Sequence, residues 1–109
     1  MNIEKLKQAI EISQLLDGGT CVTDFPIEVG KSVFIRTVTL YYTGKLTKVC
    51  GQFLTLQNAA WIADTGRFHD FLKNGKANEV EPFIDEVHIP LGSLIDVTEW
   101  KHTLPQDQK

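Results

Sequence analysis

Residues 32–49, "SVFIRTVTLYYTGKLTKV", are the feature that most limits what this chain can fold into. They are rich in β-branched and aromatic side chains, which favours extended strand. Alternate positions form two registers, and both begin apolar, with Arg36 as the exception. A strand with two apolar faces must start under cover on both sides, and it emerges towards water where the second register becomes polar. Gly44 allows the strand to bend sharply, as the strands of small barrels do.

The residues after this run predict further strands and one helical insertion. Cys50, Gly51 and Gln52 form a reversal, and "FLTLQNAAWIA" returns as the second arm of a hairpin. A short helical insertion near 66–74 should end at Gly75. "KANEVEP" is expected to be a loop, "FIDEVHIP" a strand, "LGSL" a single turn and "IDVTEW" a final short strand. The chain is thus mainly β, with about five bent strands, and a small barrel closes such strands most economically.

The two ends of the chain have different patterns. Residues 2–16, "NIEKLKQAIEISQLL", space their apolar side chains as an amphipathic helix does, and the glycines at 18 and 19 would end it. Residues 101–109 read as a polar C-terminal tail, expected to be mobile. Because 109 residues correspond to one domain, we expect a single small-barrel domain over 1–100 that includes the N-terminal helix.

Composition and charge narrow the class of protein. The 42% hydrophobic and 23% charged residues are ordinary for a soluble globular domain. No apolar run is long enough for a membrane span, and the first residues do not resemble a signal peptide, so we expect a cytoplasmic protein with no membrane partner. The net charge of −3 and the scattered lysines and arginines make nucleic-acid binding an unfavoured but open alternative.

Two stretches resemble the Sm-like or SH3-like small barrel. The first is "YYTGKLTKVCGQFLTLQNAA", whose Gly44 and Leu46 fit the bent hairpin. The second is "EVHIPLGSLIDVTEW", in which Ile89, Pro90 and Ser93 fit the strand-turn-strand unit that closes such a barrel. The resemblance covers about residues 33–100 and implies a small β-barrel. Sm-like proteins commonly form rings and bind RNA, so it also implies those two functions as expectations.

A second resemblance concerns origin only. "RTVTLYYTGKL", "AAWIADTGRF" and "NEVEP" are similar to an uncharacterised family of small bacterial proteins. This similarity implies a bacterial or phage source. It implies no activity.

A polar group at one corner is the tentative ligand-binding site. Asp64, Arg67, His69 and Asp70 lie within seven residues, directly after the returning strand that carries Trp61. In the structural interpretation, Asp64 or Thr65 caps the short helix, and Arg67 fastens the insertion by pairing with carboxylates at 70, 79 or 81. Trp61, between Ala60 and Ile62, would then be a core residue.

The same corner has a catalytic interpretation. His69 with Asp64 or Asp70 would provide a base and its orienting group, and Ser93 or Thr65 would have to approach as nucleophile. No recognised nucleophile motif accompanies them, and histidines 69, 88 and 102 lack the spacing of metal ligands. The two cysteines at 21 and 50 form no C-x-x-C pair and are expected to be free thiols. We therefore predict no metal, no cofactor and no catalytic residues.

The function favoured by the sequence is a non-enzymatic binding or assembly module that self-associates. Residues 33–42 are apolar on both faces, in a chain too small to cover both, so a second copy should supply the cover. A homo-oligomer is therefore expected, with another protein as a further possible partner. An Sm-like RNA-binding ring and a small enzyme using the Asp64–Asp70 cluster remain the alternatives.

Overall fold

The computed structural model describes residues 24–109, and the predicted helix over 2–16 lies outside this range. The described chain is mainly β, with one short helix. Its elements, in chain order, are β1 (Ser32–Thr37), β2 (Tyr41–Cys50), β3 (Phe53–Asp64), α1 (Phe68–Asn74), β4 (Glu79–Pro82), β5 (Val87–Pro90), a 3₁₀ turn (Leu91–Ser93) and β6 (Leu94–Glu99).

All strand pairs are antiparallel, and the six strands form one sheet. The order across it is β4-β3-β2-β1-β6, and β5 pairs with β3. β3 is long enough to hold both, because β5 pairs with its first residues and β4 with its last. Asn58, with φ of 52°, lies between these two stretches and marks a change in strand direction.

The long β-rich run is two strands and not one. Residues 38–40 reverse the chain, and the Thr37 hydroxyl both donates to the Leu40 carbonyl (2.7 Å) and accepts from the Leu40 N–H (3.0 Å). The predicted hairpin across Gly51, with φ of 61°, and the short helix ending at Gly75 are confirmed. The predicted loop "KANEVEP" is wrong in part, since its last four residues are β4.

The sheet carries a buried cluster on each face. The first core cluster contains Val33, Ile35, Leu46, Val49, Leu54, Leu56, Ala59 and Ile89. The second core cluster contains Phe34, Ala60, Ile62, Phe71, Ala77, Val80 and Trp100. Helix α1 contributes Phe71 to the second cluster, and Leu104 of the C-terminal segment packs against it. Both faces of β1 are therefore covered within the described chain, which removes the stated reason for expecting a second copy there.

Residues 101–109 are bound to the sheet, unlike the mobile tail that the sequence suggested. Val80 and Lys109 exchange two backbone hydrogen bonds of 2.9 Å, so the end of the segment is held against β4. The Gln106 amide donates to the Asn58 carbonyl at 2.9 Å. His102 places Nε2 at 2.8 Å from the Leu72 carbonyl. These contacts fasten the segment to both β4 and α1.

Candidate functional site

The predicted corner lies on the surface, where β3 ends and α1 begins. Asp64, Arg67, His69 and Asp70 are all exposed. Asp64 does not cap the helix; its carboxylate accepts the Gly66 N–H at 2.8 Å and closes the turn before it. The backbone carbonyl of Arg67 accepts the Phe71 N–H at 2.9 Å, but no side chain caps α1.

The corner residues are close in sequence but make no side-chain contact with one another. Arg67 forms no ion pair with Asp70, Glu79 or Glu81, since the only ion pair in residues 24–109 joins Arg36 and Asp96. The expectation that Arg67 clamps the insertion is therefore wrong. Thr65 donates to the Gly66 carbonyl and Ser93 to the Pro90 carbonyl, both at 2.8 Å, so neither hydroxyl is directed to His69.

The charged clamp of the described chain is Arg36, which sequence alternation marked only as an exception. It faces Asp96 across the β1–β6 pair, and its Nε lies 2.9 Å from each carboxylate oxygen. The guanidinium also lies 5.3 Å from the centre of the Phe68 ring and 6.0 Å from that of Tyr41. The hydrogen bond from Arg36 lowers the pKa of Asp96, and the same bond raises the pKa of Arg36.

A group of exposed aromatic side chains lies on β2 and β3 and in the loop after β4, away from the β1–β6 pair that carries Arg36. Trp61, expected in the core, is 38% exposed, because Ala60 and Ile62 take the second-cluster face and turn Trp61 to the opposite one. Trp61 lies directly opposite Tyr42 on β2 and Glu81 on β4. The Phe83 ring, 40% exposed, stacks on Tyr42 with a centroid distance of 6.0 Å. We call Tyr42, Trp61 and Phe83 the aromatic patch.

The surroundings of the aromatic patch are acidic and apolar. Ile84, directly after Phe83, is 99% exposed. Glu81 lies beside Trp61 and accepts two hydrogen bonds from the Gln108 amide, at 3.1 and 3.3 Å. Partial burial raises the pKa of Tyr42, so its hydroxyl is neutral at physiological pH. A neutral aromatic surface bordered by carboxylates suits an apolar partner that carries positive charge.

A separate groove of about 680 Å³ runs over β2, β3 and β5. Phe53, 49% exposed, is its largest side chain. Thr55 and His88 face each other across the β3–β5 pair, with Thr55 Oγ1 2.9 Å from His88 Nδ1. Cys50 also lines the groove and is disulfide-bonded, so the expectation of a free thiol at this position is wrong. Sequence spacing had marked His88 only as one of three scattered histidines.

No three histidine, cysteine, aspartate or glutamate side chains between residues 24 and 109 are gathered so that they could hold a metal ion. No helix within the same range has the length and hydrophobicity that crossing a membrane requires. Comparison of the whole chain with protein families, with curated proteins and with solved structures gave no match.

Proposed function

We propose that this chain is a non-enzymatic small-barrel module for binding and assembly, and that it self-associates through the aromatic patch. The observation that carries the proposal is the exposure of Trp61, a large aromatic side chain in the middle of a paired strand. Tryptophan and tyrosine are the residues most enriched at the energetic centres of protein interfaces. Trp61 and Phe83 both adjoin Tyr42, and apolar side chains grouped at the surface in this way are typical of a contact surface.

The strand order supports a barrel of the Sm-like or SH3-like type. β5 pairs with β3 and β6 pairs with β1, while β5 and β6 follow one another through the three-residue 3₁₀ turn. Passing from β3 through β2, β1 and β6 to β5 thus leads back to β3. A short link between strands from opposite ends of a bent sheet brings those ends together, as closure into a small barrel requires.

Self-association now rests on different residues from those first indicated by the sequence. Phe34 and Ile35 are buried on opposite faces of β1 by the chain's own side chains. Trp61 and Phe83 of the aromatic patch, with Ile84 beside them, are among the large apolar side chains that still lack cover. A second copy that covers this patch would remove the exposed parts of Trp61 and Phe83 from water, which favours association.

Protein binding fits this surface better than RNA binding does. Exposed aromatic rings can stack on bases, but an RNA site also needs nearby cations to bind phosphates. Here the patch is bordered by Glu81, and Asp85 and Glu86 follow in the loop after Phe83. An enzymatic role is less supported still, because the Asp64–Asp70 cluster has no contact that would orient His69 as a base.

The test is the solution mass of the chain, measured by light scattering over a concentration series. We expect wild type to exceed the monomer mass of 12.3 kDa at micromolar concentration, and Trp61→Ala to shift the equilibrium towards monomer. Val29→Ala is the matched control, because Val29 is also exposed (57%) but lies in the turn before β1. A wild-type monomer at all concentrations, or an equal loss of mass in both variants, contradicts the proposal.

A further inference from the structure

Charge is segregated along the described chain. Residues 77–100 contain six carboxylates and no lysine or arginine. Residues 66–76, which include α1, contain Arg67, Lys73 and Lys76 against the single carboxylate of Asp70. Of the six carboxylates, Glu81 lies directly opposite Trp61 of the aromatic patch, while the helical corner carries three cations.

The molecule already shows how it binds an arginine. Arg36 is held by a carboxylate, Asp96, and by the faces of two aromatic rings, Phe68 and Tyr41. Both kinds of contact stabilise the same guanidinium: the ring faces attract its positive charge, and the carboxylate accepts hydrogen bonds from its N–H groups.

The aromatic patch offers the same components with no cation between them. Tyr42, Trp61 and Glu81 form one row across β2, β3 and β4, so their side chains leave the sheet on the same face. Glu81 is positioned by Gln108, whose amide is neutral and leaves the carboxylate charge uncompensated. No lysine or arginine among residues 24–109 forms an ion pair with Glu81.

Arg67 is the one arginine among residues 24–109 that could enter such a site on another molecule, since Arg36 is already paired. Its side chain is exposed and has no ion pair within the described chain. It is followed directly by Phe68, which is 39% exposed and gives the corner an apolar component. The corner therefore presents an exposed guanidinium, which complements a surface of aromatic side chains and a carboxylate.

We propose that Arg67 of one copy binds the aromatic patch and Glu81 of a second copy. This inference rests on the proposed function, because it names the group that the self-associating surface recognises. It also assigns a role to the corner predicted from sequence: Arg67 is an interface residue, and its partner carboxylate belongs to another molecule. The contact joins two different surfaces, so each copy uses the corner and the patch with different neighbours.

The test is a charge-reversal cycle measured by sedimentation or light scattering. Arg67→Glu and Glu81→Arg should each weaken association about tenfold or more, because a like charge then faces a like charge in the contact. The double variant should recover most of the wild-type affinity. Lys73→Glu is the control, since it makes the same charge change on α1 at another exposed position. Association of wild type should also weaken as salt is raised.

The outcomes separate this inference from the proposal on which it rests. If Trp61→Ala abolishes association while Arg67→Glu matches Lys73→Glu, the Arg67 contact is wrong and self-association through the patch stands. Failure of the double variant to recover affinity also overturns the pairing of Arg67 with Glu81. A wild-type monomer at every concentration removes both. Circular dichroism of each variant checks that the fold is retained.

Discussion

The two tryptophans of this chain lie in regions that its own residues cover to different extents: Trp100 in the second core cluster and Trp61 in the aromatic patch. Trp100 is 4% exposed, donates its indole N–H to the Thr103 carbonyl at 3.2 Å, and lies against Phe71 with ring centres 4.9 Å apart. Trp61 is 38% exposed and makes none of the ring contacts that surround Trp100. The chain closes the second core cluster with α1 and its C-terminal segment, but leaves the aromatic patch uncovered. This difference locates the surface at which a partner would have the most to gain.

The largest expected effect separates the two tryptophans by stability. Trp100→Ala should lower the free energy of unfolding by about 3–5 kcal/mol, because it removes a buried ring and leaves a cavity in the second core cluster. Trp61→Ala should cost less, about 1–2 kcal/mol in the monomer, because part of its ring is already in water. Chemical denaturation of both variants at low protein concentration measures the difference. Equal losses would mean that Trp61 is as structural as Trp100, and would weaken the patch as a binding surface.

A smaller effect should come from Gly75, where α1 meets the C-terminal segment. Gly75 has φ of 76°, and a Cβ added there would lie 2.6 Å from His102 Cγ and 2.7 Å from His102 Cβ. Gly75→Ala should therefore lower the unfolding free energy by about 2–3 kcal/mol, combining backbone strain with displacement of the segment. Gly51→Ala provides the control, since Gly51 has a similar φ of 61° and nothing within 4 Å of its added Cβ.

Denaturation curves of the two glycine variants separate the cost of backbone strain from the cost of displacing His102 and the C-terminal segment. Gly51→Ala should cost about 1 kcal/mol, which is the backbone part alone. If Gly75→Ala costs no more than that, His102 does not hold the C-terminal segment against α1. The covered face would then be less firmly closed than its contacts indicate, and the contrast with the aromatic patch would be smaller.

Local patterns predicted those parts of the fold that short stretches of sequence determine. The β-branched run at the start of β1, the turn at Gly51 and the helix stop at Gly75 all act through backbone preferences of a few adjacent residues. β4 was missed because its four residues include Pro82 and two glutamates, which have little strand preference of their own. It is a strand because β3 pairs with it, and pairing partners far apart in sequence cannot be read from local composition.

The candidate site residues show the same difference between what neighbouring residues determine and what distant strand pairing determines. Asp64, Arg67, His69 and Asp70 were grouped because they are neighbours in the chain, yet their side chains do not meet. Arg36 and Asp96, which do meet, are 60 residues apart, and only the β1–β6 register brings them together. Trp61 was expected in the core because Ala60 and Ile62 are apolar. Alternation over residues 60–62 was the available signal that the ring faces away from Ala60 and Ile62.

The smallest expected effect concerns the pH dependence of the Arg36–Asp96 pair, the filled counterpart of the site proposed at the aromatic patch. Because Arg36 lowers the pKa of Asp96 in the folded chain, the pair stabilises the fold above the unfolded-state pKa of about 4. That contribution is lost as pH falls through the lowered native pKa. Asp96→Asn should therefore be less stable than wild type at pH 7, and the gap should narrow between pH 5 and pH 2.

The gap should be small, because both side chains are partly exposed, at 33% and 40%, and water screens their attraction. Urea denaturation at several pH values measures it, and Arg36→Met should remove the same pH-dependent part by removing the partner. Asp85→Asn, a substitution in the exposed loop after Phe83, is the control for loss of a carboxylate that no arginine contacts. A gap that widens towards low pH would contradict the lowered pKa of Asp96. It would also remove the internal example from which an arginine site at the aromatic patch was inferred.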